Sequence, residues 1–520
     1  MKERLSSMLR LPKLFSDGAI LQREKPVKVW GTFEPFTKLK ISLDNSITET
    51  TTDQEGKFIA TLKAPEYGFN KQLIFKNELG NTLKTVNVSV GDVWILSGQS
   101  NIDFMLKYDQ NYQQDADKVT SALKDGPDIS FFEVPRRIIP NGEFNQSTNP
   151  EAWHHLTKEN AKFFSAIGYY FGLELRDYSP DLPIGLIWMS FGGTTASSWL
   201  SEEALTKDPL LKQRYLNSYQ ELLSSISMDK YEAILAKQHE TSLLPEAAKF
   251  WDDVVMGKID HKTLNEAYKN KKYLFNDQIM GPKSENRPHG LFDNMVKTII
   301  GYTIKGVLWY QGESDSDDSS LYDHLLIALI QDWRNHWEDD FPFLIMQLAP
   351  FGHWFGNFSG EFYPEVREKQ AIVADKLNKV YLTNVMDDGM QYDIHPKNKK
   401  LAAHRFYLLA MDKVYDVINN GAAPSVDDCE KYHDHLTISF DNCDLLASSQ
   451  KNLNKVLKII VNGKVIQLYD VSVSGNLMTI TSPEFKSNAT IEVWYQQEPF
   501  SHAGLFNENA IPVVPFKVYL

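Results

Sequence analysis

Val93-Trp94-Ile95-Leu96-Ser97-Gly98-Gln99-Ser100-Asn101 is the stretch whose reading decides the fold. Four apolar residues in a row, without alternation, describe a strand buried on both faces, as in a parallel sheet. Small and hydrogen-bonding residues follow at once, as they do at the carboxyl end of a strand in an open α/β sheet. Two later runs have the same form. Ile184-Gly185-Leu186-Ile187-Trp188 leads into Met189-Ser190-Phe191-Gly192-Gly193-Thr194, and Gly306-Val307-Leu308-Trp309-Tyr310 leads into Gln311-Gly312-Glu313-Ser314. Between the runs, Phe163, Ile167, Tyr170, Phe171 and Leu175 recur with a period near 3.6, and a second helical pattern spans Leu321 to Trp333. Alternating strands and helices predict a parallel sheet with helices on both faces, the α/β class.

Outward from this core the pattern changes. Residues 1–90 carry short alternating runs, Lys38 to Leu43, Phe58 to Leu62 and Val86 to Val90, broken by turns such as Asp53-Gln54-Glu55-Gly56. They predict a β-sandwich-like N-terminal module. The core then spans 91–200 and resumes over 289–420. The intervening stretch 201–288 is lysine-rich and helical in pattern, either an insertion that caps the core or a solvated spacer. Residues 421–520 return to alternation, and Asn462-Gly463 inside Val456 to Val465 marks a hairpin in a C-terminal β-rich module.

Composition narrows the function. The 68 Asp plus Glu outnumber the 54 Lys plus Arg, for a formal charge of −14, which argues against non-specific binding to nucleic acid or an anionic membrane. The two cysteines, Cys429 and Cys443, fit neither a zinc site nor a redox pair, and no metal or cofactor signature occurs. No apolar run approaches a membrane span, and Met1 to Arg10 lacks the core of a secretory leader, which points to the cytoplasm.

The chemistry gathers at the strand ends. A fourth segment, Asp387-Asp388-Gly389-Met390-Gln391-Tyr392-Asp393-Ile394-His395-Pro396, sets an acid two residues before a histidine, just ahead of a helical stretch from Lys397 to Leu409. Acyl transfer to water needs a nucleophile, a base, an acid to orient the base, and donors for the oxyanion. Ser100 can be the nucleophile, His395 the base and Asp393 its partner. The Ser100 and Gly193 amides and the Gln311 side chain can be the donors, with Gln99, Asn101 and Glu313 beside them. Trp188, Trp199, Trp309, Tyr310 and Trp354 lie near these loops and are candidates for a wall against a sugar ring. Asp387 and Asp388 read as turn residues, and Asp315-Ser316-Asp317-Asp318 as a solvated helix start rather than a calcium loop.

Gly98-Gln99-Ser100-Asn101, Gly192-Gly193-Thr194, Trp309-Tyr310-Gln311-Gly312-Glu313-Ser314 and Asp393-Ile394-His395-Pro396 resemble, in order, the blocks of the sialate O-acetylesterase family within the SGNH hydrolases. Leu14 to Gly31, Leu291 to Met295 and Leu505 to Phe516 extend the resemblance over nearly the whole chain. It implies an SGNH-type, flavodoxin-like core and a serine carboxylesterase that removes acetyl groups from a saccharide, sialic acid foremost. It gives Ser100, Asp393 and His395 the catalytic roles and Gly193 and Gln311 the oxyanion. Gln311 stands where the wider superfamily uses Asn, and Phe191, Phe292 and Asp293 depart from the subgroup's usual Trp, Tyr and Asn. A xylan acetylesterase and a non-catalytic carbohydrate-binding protein remain the alternatives. A neutral His395 is required of the base, so kcat/KM is expected to rise across about pH 6 to 7.

Overall fold

One strand joins the N-terminal sheet to the core. The computed structural model describes residues 8–123, 126, 128–140, 149–271 and 279–520. Residues 1–7, part of the segment read for a leader, and 272–278 of the helical stretch lie outside the described residues. The N-terminal strands are β1 (Ala19–Gln22), β2 (Val27–Thr32), β3 (Lys38–Leu43), β4 (Ser46–Thr51), β5 (Lys57–Leu62) and β6 (Gly68–Asn77). Next comes β7 (Thr82–Gly98), 17 residues long. The core continues with β8 (Ile129–Glu133), β9 (Trp153–His155), β10 (Ile184–Ser190), β11 (Gly306–Tyr310), β12 (Phe343–Gln347) and β13 (Val380–Asn384).

The first half of β7 pairs antiparallel with β6, where Leu73 faces Val86, and parallel with β1. Its second half enters the core sheet, whose order is β13-β12-β11-β7-β10-β8-β9. The expected boundary near residue 90 therefore falls inside a continuous strand. Within the core, β7 is parallel to β10 on one side and to β11 on the other. The chain places β8 to β10 on one side of β7 and β11 to β13 on the other, so the order reverses at β7. Such a switch point opens a crevice beyond the carboxyl ends of the strands.

Helices cover both faces, as the periodicities predicted. On one face Trp94 of β7 meets Phe171 of the Ala166–Tyr178 helix at 5.4 Å, edge to face, and Tyr415 just beyond the Lys399–Lys413 helix at 6.4 Å. On the other, Trp309 of β11 meets Trp333 of the Tyr322–Trp337 helix at 6.0 Å. All seven residues of β10 are buried, as their unbroken apolar run requires. Each large apolar side chain so buried contributes about 1.5–3 kcal/mol over an exposed one.

Beyond the core, two four-stranded antiparallel sheets share a separate apolar cluster that includes Leu436, Ile438, Ile459 and Val493. The Asn462-Gly463 hairpin forms there, with both residues at positive φ, 49° and 77°, as a primed turn requires. Between β10 and β11 the described residues include the helices Met228–Ser242, Pro245–Val255 and His261–Lys269. Among the described residues no helix is long and apolar enough to cross a membrane.

Candidate active site

Three strand ends lie level. Gly98 of β7 pairs with Ser190 of β10 and with Tyr310 of β11, so the segments after all three leave the sheet at one edge. Gly98 has φ of +132°, and a Cβ there would stand 2.1 Å from the Tyr310 carbonyl oxygen, so only glycine permits this approach. The chain then turns at Gln99 into a short helix, Ser100–Asp103. Ser100 is its first residue and half-buried. Its N–H belongs to the unsatisfied helix start and donates to no group among the described residues. The next helix is tied to this turn, because Ser165, its N-cap, donates to the Ile102 carbonyl at 2.7 Å.

The segment after β10 curls over Ser100. A Cβ on Gly192 would lie 3.6 Å from the Ser100 Cβ. Gly193 adopts φ of +74°, and its N–H also lacks a partner among the described residues. Asn286, which no sequence pattern singled out, holds this loop, donating to the Gly193 carbonyl at 3.0 Å and accepting from Thr195 N–H at 2.7 Å.

The acid and base come on one turn. Asp393 Oδ1 accepts the backbone N–H of His395 at 2.8 Å and lies 3.4 Å from its Nδ1. The side-chain contact is long for a hydrogen bond, a common state of catalytic pairs without substrate. Asn101, next to Ser100, donates to the carbonyl of Ile394, next to His395, at 3.2 Å. Phe104 and Trp354 flank the imidazole, the latter perpendicular at 5.2 Å. Burial pushes His395 below the ordinary imidazole value of 6.5, with Asp393 opposing and Lys397 and Lys399 adding to the drop. Burial alone would raise the Asp393 carboxyl, but His395 and Lys397 hold it below the ordinary carboxylate value.

Several polar residues expected at the substrate face inward instead. Gln311 is 0% exposed, and both hydrogens of its amide are committed, to the Thr194 carbonyl at 3.0 Å and to Asp315. Its carbonyl oxygen accepts from Tyr322. With no hydrogen left to donate, Gln311 ties two loops together and does not offer the expected oxyanion donor. Gln99 is similar, donating to Ser314 Oγ at 3.2 Å and accepting from the Gly312 and Ser314 amides. Asn101 spends its amide on Glu313 and Ile394, and its oxygen accepts from Lys399. Glu313 is buried, and burial raises its carboxyl above the ordinary value, with Asn101 opposing.

Asp315 corrects the reading of a solvated acidic run. It is buried, accepts from Gln311 and from Ala196 N–H, and burial pushes it up to about 7. Asp387 and Asp388 are more than turn residues: Asp387 pairs with Arg405 at 3.0 Å, and burial pushes Asp388 up to about 6. Trp188, Trp199, Trp309 and Tyr310 belong to the core at 1% exposure or less, which leaves Trp354 as the aromatic of that set in contact with the site. Lys399 was not anticipated. It is buried beneath the Ser100 turn, and burial and the charge of Lys397 push it down to about 7.

The helical insertion packs on this loop. Trp251 meets Trp354 at 6.5 Å and Phe355 at 6.0 Å, and Asp252 accepts from Tyr108 and Lys107. These contacts place part of the insertion beside Trp354, the aromatic that flanks His395.

The chain is similar in sequence and fold to known carbohydrate esterases. The family model of the carbohydrate esterases described as sialic acid-specific acetylesterase matches residues 90–258 and 282–400, more than half of the chain. Mouse sialate O-acetylesterase is 24% identical over 443 residues, covering 78% of this chain and 73% of that protein. The human sialate O-acetylesterase is 24% identical over 357 residues, 64% of this chain and 55% of its own length. The crystal structure of a carbohydrate acetylesterase from Xanthomonas citri superposes with a TM-score of 0.72 at 23% identity, covering 98% of this chain and 99% of that one, and shares its fold. With the strand-edge serine and the acid–histidine turn in place, the chain belongs to the sialic acid-specific acetylesterase family of carbohydrate esterases, which are carboxylic ester hydrolases.

Proposed function

We propose that the protein removes O-acetyl groups from a saccharide, sialic acid foremost, through an acyl-enzyme on Ser100. The observation that carries this reading is a pair of amides, Ser100 N–H and Gly193 N–H, without a partner among the described residues and beside the half-buried Ser100 at the switch point. Preorganised donors of this kind stabilise charge that appears only in the transition state.

Ser100 Oγ attacks the acetyl carbonyl carbon while His395 Nε2 takes the hydroxyl proton. The carbonyl oxygen becomes an oxyanion held by the two amides. The bond from carbon to the sugar oxygen breaks, and His395 returns the proton to that oxygen, freeing the sugar hydroxyl. Water then repeats the attack with His395 as base, and acetate leaves Ser100. Asp393 holds Nδ1–H of the imidazole and stabilises its cation. Gln99, Asn101, Gln311 and Glu313 keep the four segments in register. The lowered His395 value supports this role, since the imidazole is neutral at pH 7 and able to accept the proton.

The test is acetate release from O-acetylated sialic acid and from acetylated xylo-oligosaccharides under the same conditions. A higher kcat/KM for sialic acid is expected. The reverse order would make the protein a xylan-type acetylesterase. Sugar binding without turnover of either substrate, or of p-nitrophenyl acetate, would make it a carbohydrate-binding protein.

A further inference from the structure

Lys397 stands two residues after His395, its side chain 11% exposed, between the catalytic turn and the helical insertion. Its Nζ lies 2.7 Å from Asp393 Oδ2 and donates to the Val255 carbonyl at 2.6 Å. Val255 is the last residue of the Pro245–Val255 helix, where carbonyls lack partners within the helix and the dipole favours a cation. Gly257, at φ of +74°, turns the chain just after this helix and beside the lysine stem, where a Cβ would make van der Waals contact with the Lys397 Cε at 3.4 Å. The Phe104 ring lies 5.5 Å from Nζ.

Asp393 has two oxygens to fix. Oδ1 is occupied by the His395 backbone N–H and faces Nδ1, and Lys397 holds Oδ2. Without it the carboxylate could rotate about its side-chain bonds away from the imidazole, and a displacement of about 1 Å in a catalytic group can cost on the order of 10²-fold in rate. An ammonium is expensive to bury, and these two partners together compensate it.

We infer that Lys397 is a positioning residue of the esterase, a largely enclosed cation that clamps the carboxylate of Asp393 and anchors it to the helical insertion. The inference rests on Asp393 and His395 having the roles proposed above. Lys397 also acts on the base through space. The charged groups that bear on His395 are Asp393, Lys397 and Lys399, while Phe104 and Trp354 face it from the other packed elements. The insertion adds the uncharged Val255 carbonyl and, farther out, Asp252, which is bonded to Tyr108 and Lys107. Lys397 opposes protonation of the imidazole, so removing its charge raises the His395 value.

The experiment is the pH profile of kcat/KM for p-nitrophenyl acetate in the native chain, K397M, K397R and S100A, with folding followed by circular dichroism. In the native chain the acidic limb should lie below pH 6.5, lower than the sequence alone suggested. K397M should lose roughly 10- to 100-fold in kcat/KM, with its limb moved to higher pH, and K397R should keep the native limb. If K397M does not fold, K397Q is read in its place. A neutral variant that folds and keeps the native limb and rate overturns the inference, and reduces Lys397 to a cap on the insertion helix. Retention of activity by S100A overturns instead the active-site assignment on which it rests.

Discussion

Ser100→Ala is expected to lower kcat for acetate release by roughly 10³-fold or more, with the circular dichroism spectrum unchanged. The magnitude follows from what the side chain does. Removing Oγ abolishes the covalent step, while the Ser100 and Gly193 amides stay in place and can still polarise the ester carbonyl for attack by water. The residual rate is therefore set by binding and the two amides. The fold should be unaffected, because Ser100 Oγ makes no hydrogen bond among the described residues and the turn is held by Gln99 and Asn101. Steady-state kinetics on purified native and variant chains decide it, and comparable rates in the two would move the nucleophile elsewhere.

His395→Ala should be nearly as damaging, again roughly 10³-fold or more, since the proposed mechanism gives His395 the Ser100 proton. The more discriminating result concerns the double variant. If Ser100 and His395 act as one unit, S100A/H395A should be no slower than the slower single variant, because the second substitution removes help to a group that is already gone. Multiplicative losses would mean that the two residues act independently. Burial of His395 between Phe104 and Trp354 leaves a cavity in the alanine variant, so H395Q serves as the filled control.

The core was legible where local pattern and tertiary environment agree. The unbroken runs at Val93 to Leu96, Ile184 to Trp188 and Gly306 to Tyr310 can hardly be placed except in a sheet buried on both faces, and Asn462-Gly463 carries its turn in its own backbone preferences. The passage of β7 through residue 90 was not legible. Alternating and continuous runs are both strand, and the exchange of β6 for β10 and β11 as neighbours is a long-range event with no local mark.

The site shows the same division. Ser100, Gly193, Asp393 and His395 could be proposed from sequence because each stands just beyond a strand or on one short turn. The direction in which a polar side chain faces could not. Gln311 would donate to a substrate as readily as to Thr194 and Asp315, and only the buried position of Asp315 decides between them. The acidic run at 315–318 looked solvated because charge usually is, yet one member is buried as an acceptor. Lys397 and Lys399 were present in the Asp-Ile-His-Pro-Lys-Asn-Lys string, but Val255 and Asn101, to which they donate from it, lie more than a hundred residues away.

The acyl-enzyme itself can be tested by labelling. A fluorophosphonate reacts with an activated serine hydroxyl and remains attached, so peptide mass mapping identifies the nucleophile. The mechanism predicts one label per native chain, on the peptide containing Ser100, and its loss in H395A under the same exposure. A label on a different serine, or none at all on a chain that releases acetate from its substrate, would contradict it.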